Sequence, residues 1–141
     1  MKRTDKKYLF ISVRPEFAER IITKQKKIEL RKVRPNVNPG DSIIIYASAP
    51  VKSVLAIARI KSIHEYSPDE MWMRYNPVLG IDKCRYDKYY QGQERAIGIE
   101  MESVKAISPI TLNQLKSIYP FFQPPQIYRY IYRHQIDLER L

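Results

Sequence analysis

The sequence predicts an α+β fold in which about five or six strands form a small β-barrel with short helical insertions. Apolar residues alternate or run continuously in short segments along the 141 residues, which is typical of strands. Short stretches with helical spacing lie between these segments, most of them bounded by proline or glycine. The chain has no internal repeat and no linker, so we expect residues 1–141 to form a single domain.

The first half of the chain is predicted to begin with a strand and a helix. Residues 8–13 are rich in strand-forming side chains, and a proline opens a short helix over 15–23. Residues 26–33 alternate and residues 42–48 are strongly apolar, so each segment predicts a strand. Residues 51–63 predict a strand that is too long to stay flat, and we expect it to bend or bulge as barrel strands do.

The second half is predicted to alternate helices with strands. A serine and a proline shortly before Glu70 predict a helix start in which Glu70 is the capping-box residue. Three tyrosines spaced i, i+3 and i+4 from Tyr86 predict a further helix, and 95–104 alternates as a strand does. Another helix should end at Pro120. The spacing of apolar residues over 126–133 favours a helix, although the alternating tyrosines are also compatible with a strand.

Positive charge is concentrated at the beginning of the chain. Lysine and arginine number 25 against 15 acidic residues, which gives a net charge of +10. Residues 1–34 carry +8 of that charge, and the other 107 residues carry only +2. A basic surface concentrated in one stretch favours a polyanionic partner, most often nucleic acid, over a face that serves only solubility.

Several classes of protein are disfavoured by composition. No apolar run approaches the ~20 residues that cross a bilayer, and the apolar segment after the basic N-terminus is too short for a signal peptide, so we expect a cytoplasmic protein with no membrane partner. The single cysteine, Cys84, and the two histidines, His64 and His134, show no metal-ligand spacing. Because the four glycines form no phosphate-binding loop, nucleoside triphosphate chemistry is disfavoured, and we predict no metal and no cofactor.

The densest basic cluster, KQKKIELR at 24–31, lies where the first helix leads into a strand. It resembles the motif Gly-x-Lys-x-x-Glu-x-Arg of the ASCH (activating-signal-cointegrator homology) domain family, with Lys26, Glu29 and Arg31 at its last three fixed positions. Lys24 stands where the motif has glycine. Other segments support the resemblance in family order, namely 12–15, 39–41, 45–50 and 124–126.

The resemblance implies a fold of the PUA-like superfamily of small β-barrels, with a cleft between strands and helices that has been proposed to bind RNA. It also implies possible activities, because some ASCH relatives cleave RNA and others remove an acyl group from a modified cytidine nucleoside. The latter relatives carry threonine where this chain has Glu29, which counts against the same reaction here.

The residues of the motif can be interpreted in two ways. The planar fork of Arg31 suits two-point contact with a phosphate, and Glu29, on the same strand face, could orient Arg31 or accept a hydrogen bond from a base amine. Alternatively, Glu29 and Arg31 form an internal ion pair that closes the barrel, while the lysines are solvated. The predicted RNA-binding or nucleotide-binding residues are Ser12, Arg14, Lys24, Lys26, Lys27, Glu29 and Arg31.

Lys26 is also the candidate for catalysis. Neighbouring cations and burial can lower the pKa of a lysine until it acts as a base. Since the resemblance implies a lysine, a tyrosine and a serine in the RNA-cleaving relatives, the catalytic set expected for an enzyme is Lys26, Tyr46 and Ser48. Tyr46 could equally be a packing residue.

Three functions therefore follow from the sequence as hypotheses. The first is binding of RNA, a nucleotide or a modified base in the basic cleft of a PUA-like barrel. The second is hydrolysis, without a metal, of RNA or of a modified cytidine nucleoside. The third is a protein-interaction module, for which a protein partner rather than RNA would be the ligand. The Tyr-rich segments 85–90 and 128–133 could stack bases or form core.

Overall fold

The structure is a computed structural model that describes residues 7–125 and 128–132. The strands are β1 (Lys7–Val13), β2 (Ile28–Arg31), β3 (Ser42–Ala47), β4 (Ser53–Tyr66), β5 (Ala96–Thr111) and β6 (Tyr128–Tyr132). The α-helices are α1 (Pro15–Ile22), α2 (Pro68–Tyr75), α3 (Lys83–Tyr89) and α4 (Leu112–Ile118), and a 3-10 turn covers Asn76–Val78. The α+β class predicted from the sequence is confirmed.

All six strands form one mixed sheet in the order β2-β5-β4-β3-β1-β6. Only the β1–β3 pair is parallel, and the other neighbours are antiparallel. β1 is apolar on both faces because both faces are covered: Leu9 and Ile11 enter one core cluster, and Tyr8 and Phe10 enter another. A third cluster, around Met71, joins α2 and α3 to the sheet end that carries β2.

The expected barrel is not closed. Among residues 7–125 and 128–132, no ladder joins the first strand of the sheet, β2, to the last, β6. The physical reason is that β6 occupies the edge of β1 that β2 would need for closure. A side chain reaches across the gap instead, because Nη2 of Arg31 on β2 lies 3.4 Å from the carbonyl oxygen of Ser12 on β1. This opening in the sheet shapes the candidate site.

The long strands and the last segment depart from the boundaries predicted for them. β4 is bulged, as expected, and β5 runs through Thr111, past the predicted strand at 95–104. The helix favoured over 126–133 is wrong for Tyr128–Tyr132, which form β6, because pairing with the free edge of β1 outweighs local spacing. Residues 126, 127 and 133 lie outside the described part. Ser67 caps α2, because its hydroxyl oxygen accepts from the backbone N–H of Glu70 at 3.2 Å. The side chain of Glu70 pairs with Arg74 instead of completing the predicted capping box.

Two special backbone positions shape the turn that connects α1 to β2. Lys24 has a φ of +67°, so the motif's glycine position keeps its left-handed conformation although a lysine occupies it. Gly80, with a φ of +63°, lies against the same turn, and a Cβ added there would lie 2.4 Å from Cβ of Lys26. The turn is therefore strained at one residue and closely packed at another.

Replacing Lys24 with glycine should stabilise the fold. Glycine removes the strain of a left-handed side chain, about 1–2 kcal/mol, and loses part of that gain to unfolded-chain entropy, so we expect a net increase of about 1 kcal/mol in the free energy of unfolding. Urea unfolding measures this free energy. Lys24→Ala is the control, because it removes the charge but keeps a side chain in the left-handed conformation. Equal stability of the two variants would contradict the prediction.

Replacing Gly80 with alanine should destabilise the protein more than the same change at Gly92. Both glycines have positive φ, but nothing lies within 4 Å of a Cβ at Gly92. Gly92→Ala should therefore cost about 1 kcal/mol from strain, and Gly80→Ala about 2–4 kcal/mol because overpacking against Lys26 is added. Thermal unfolding of the pair tests this, and equal losses would show that Gly80 is not packed as described.

Candidate functional site

A cavity of about 300 Å³, here called the cleft, opens where the sheet is not closed. The C-terminal end of β1 and the start of α1 form one wall, and β2 forms the other. Five of the seven binding residues predicted from the sequence line it, namely Ser12, Arg14, Lys26, Glu29 and Arg31. The fold therefore brings together residues that are up to 19 positions apart in the chain.

The three motif residues form a buried charged network in the cleft wall. Lys26, Glu29 and Arg31 are only 3%, 6% and 9% exposed. Nη2 of Arg31 donates to Oε2 of Glu29 at 2.8 Å, and Nζ of Lys26 lies 3.8 Å from Oε1 of the same carboxylate. The internal ion pair considered from the sequence does form, but it does not close a barrel, and Lys26 is buried rather than solvated as that interpretation had it. Contact of these residues with a ligand stays a prediction.

The surroundings of Lys26 weaken its proton affinity. Burial lowers the pKa of Lys26 most, and the nearby charges of Arg31 and Arg20 lower it further, while Glu29 acts in the opposite direction. Its Nζ donates to the carbonyl oxygen of Leu79 at 2.6 Å. Hydrogen-bond acceptors thus hold the lysine at a fixed position, while burial and the neighbouring arginines favour its neutral form more than water does.

Phe17 of α1 was not singled out from the sequence, where it was read as a residue on the helix's apolar face. It lines the cleft, and its ring is surrounded by cations: Nζ of Lys26 and Cζ of Arg85 each lie 5.3 Å from the ring centroid, and Cζ of Arg20 lies at 5.7 Å. Arg85 is held there by Glu16, at 2.7 Å. The sequence gives the helical spacing of Phe17 and Arg20. It does not predict the contact with Arg85, because Arg85 lies on α3, far along the chain.

The other two predicted binding residues, Lys24 and Lys27, do not line the cleft. Both are exposed and line a second cavity of about 300 Å³, here called the hollow, which Lys26 also lines. Lys61 of β4 and the β5 segment 100–104 complete the hollow. The predicted basic set is therefore divided between two cavities that share one lysine.

The cleft lining does not include Tyr46 or Ser48. Tyr46 is buried in the second core cluster, 5.6 Å from the ring of Phe10 between centroids, and burial raises the pKa of its hydroxyl. Ser48 follows β3, and its backbone N–H donates to Val13 at 2.9 Å. Tyr46 is the register partner of Ser12, one strand away from the cleft, so the catalytic set stays a prediction.

The tyrosines of α3 have different environments. Tyr86 and Tyr90 are buried in the third core cluster, as the core interpretation expected. Tyr89 is at the cleft, where its burial raises the pKa of its hydroxyl, and Nζ of Lys32 lies 4.6 Å from its ring centroid. Tyr89 is the member of this group that is placed to contact a ligand.

The described residues contain neither a metal-ligand cluster nor a membrane-spanning helix. Across residues 7–125 and 128–132, no group of three or more histidine, cysteine, aspartate or glutamate side chains is arranged to hold a metal ion. In the same part of the chain, none of the helices combines the length and apolar character of a membrane span.

A curated relative and a solved structure carry the same domain name. The chain is 37% identical over 122 residues to an ASCH domain-containing ribonuclease of Zymomonas mobilis, covering 86% of this chain and 82% of that protein. The crystal structure of ASCH from Zymomonas mobilis superposes with a TM-score of 0.88 at 33% identity, covering 92% of this chain and 91% of that one.

A more distant structure shares the fold alone. The N-terminal domain of Staphylothermus marinus McrB superposes with a TM-score of 0.55 at 15% identity, covering 84% of each chain. The open six-stranded sheet with its four described helices is thus an α+β fold of the PUA-like type. The family model of the ASCH domain matches residues 11–110, more than half of the chain. This chain belongs to the ASCH domain family.

Proposed function

We propose that this protein binds RNA in the cleft, with Arg31 as the main phosphate contact. One observation carries the proposal: the guanidinium of Arg31 is buried at a cavity wall and held there by Glu29 and the Ser12 carbonyl. Burying such a charged network seldom stabilises a fold more than apolar packing would, so its position at a cavity favours a binding role. A pre-oriented guanidinium is suited to two-point contact with a phosphate.

The other properties of the cleft fit a nucleotide unit of RNA. Its volume of about 300 Å³ is at the small end of ligand cavities. Arg14, Lys26 and Arg31 outweigh the single carboxylate of Glu29, and the ring of Tyr89 offers a surface on which a base can stack. RNA is preferred over other polyanions because the relative from Zymomonas mobilis is named a ribonuclease.

Cleavage of RNA is the second candidate function, and Lys26 is the residue that favours it. In its neutral form, Lys26 can take the proton of a ribose 2′-hydroxyl, whose oxygen then attacks the adjacent phosphorus while the 5′-oxygen leaves. The products are a 2′,3′-cyclic phosphate and a 5′-hydroxyl, and the leaving oxygen needs a proton from an acid. Tyr46 and Ser48 are proposed for such supporting roles, one strand away from the cleft.

Binding is tested by replacing Arg31 with lysine, which keeps the charge and removes the planar fork. Losing one charge-assisted contact of about 1.5 kcal/mol should weaken the binding of total tRNA about tenfold in a native gel with EDTA. Arg95→Lys is the matched control, because Arg95 is exposed and outside the cleft lining. The unfolding temperatures of both variants are measured to show that they fold. If the folded Arg31 variant binds tRNA as tightly as the wild-type protein, the proposal is contradicted.

Cleavage is tested by its pH dependence. Because the pKa of Lys26 is lowered and a base must be deprotonated, the rate should rise with pH and level off below 10.5, the pKa of a free lysine side chain. Lys26→Met should lower the rate about 10²-fold or more, with Lys88→Met as the control. Denaturing gels of labelled tRNA, run with EDTA and with Mg²⁺, measure the rates.

A flat pH profile, or unchanged cleavage by Lys26→Met, would rule out Lys26 as the base. The same assay with Tyr46→Phe and Ser48→Ala determines whether the catalytic set includes β3. If tRNA is neither shifted nor cut, acylated cytidine nucleosides and protein partners become the ligands to test.

A further inference from the structure

We propose that the hollow is a second phosphate-binding site, which holds the backbone of a single RNA strand as the strand leaves the cleft. Lys24 and Lys27 contact the phosphates, and Lys61 borders the site from β4. The inference rests on the proposed function, because it assigns the cleft and the hollow to the same ligand. It also predicts a minimum ligand length, since a mononucleotide occupies the cleft alone.

Charge supports this assignment. Four lysines line the hollow against two glutamates. Among the described residues, Lys24 and Lys27 have no carboxylate within 4 Å. Glu100 is already occupied, since its Oε1 lies 2.8 Å from Nε2 of His64 and accepts from the Ser62 hydroxyl at 3.1 Å. Its Oε2 lies 3.5 Å from Nζ of Lys61, so that lysine is paired. The unpaired cations of the hollow are therefore the groups that meet an incoming anion.

Backbone strain is concentrated at the same place. Lys24 (φ +67°) and Ser103 (φ +53°) both line the hollow, and they are two of the three non-glycine residues with positive φ in the described chain. Such conformations persist mainly at ligand-binding and active sites, where the surrounding structure holds them. A lysine at the glycine position of the motif costs stability. Contact with a phosphate accounts for a lysine at this position, whereas packing within the fold does not.

The two cavities share one lining residue just before β2. Lys26 lines both of them, and the next residue, Lys27, is fixed on both sides of its peptide. Its N–H donates to Val78 at 2.8 Å, and its carbonyl accepts from Met101 at 2.9 Å. A strand with one nucleotide in the cleft thus reaches the hollow by passing over a rigid segment of a few residues.

The experiment measures affinity at several salt concentrations for a 2′-O-methyl oligouridine of about ten nucleotides, which lacks the 2′-hydroxyl that cleavage requires. Each phosphate contact on a single strand contributes about 0.7 to the slope of log affinity against log salt. Lys24→Gln/Lys27→Gln should reduce the slope by about 1.4 and the affinity severalfold, and leave the affinity for uridine 3′-monophosphate unchanged. The control is Lys88→Gln/Lys116→Gln, which removes equal charge outside both cavities.

The single variant Lys24→Gly gives a second, independent readout. It should bind the oligonucleotide more weakly while unfolding at a higher urea concentration, a combination that a structural role for Lys24 does not produce. If the double variant keeps the wild-type slope and affinity, the proposal that the hollow binds phosphates is overturned, while the proposed RNA binding in the cleft is unaffected. No binding of the oligonucleotide or of tRNA by the wild-type protein would overturn the proposed function, and the hollow with it.

Discussion

The carboxylate of Glu29 is the interaction on which the candidate site depends, because it lies between two buried cations. Arg31 meets one of its oxygens and Lys26 approaches the other. Through these cations Glu29 connects distant segments, since Arg31 reaches the Ser12 carbonyl on β1 and Lys26 reaches the Leu79 carbonyl before α3. Without the carboxylate, two positive charges would remain buried side by side, which is far costlier than the loss of an ordinary pair.

The opening in the sheet follows from the same network. Closing the barrel would require backbone pairing between β2 and β1, where Arg31 now crosses the gap with its side chain. β6 occupies that edge of β1 and satisfies its backbone groups without filling the space beside Arg31. The result is a cavity whose polar wall is part of the protein's interior, so a ligand that enters it meets charges that are already desolvated and oriented.

Local features of the structure could be predicted from the sequence. The proline at the start of α1, the alternation that places Glu29 and Arg31 on one face, and the bulged β4 all depend on residues close together in the chain. What the sequence did not reveal depends on distant partners: Arg85 beside Phe17, Lys61 in the hollow, and β6 on the edge of β1. Periodicity describes a face, but it does not say which element will cover that face.

The apolar packing and the candidate site are located in different parts of this fold. β1 and β3 are buried on both faces, and their apolar side chains supply most of the packing at the centre of the sheet. The turn from α1 to β2 has the opposite character, with a left-handed lysine at 24 and a buried charge at 26. Sequences usually agree with their fold at every local level, and departures collect where a ligand is bound. Because Lys24 and Lys26 are only two residues apart, the same rigid sheet supports the strain of one and the desolvation of the other.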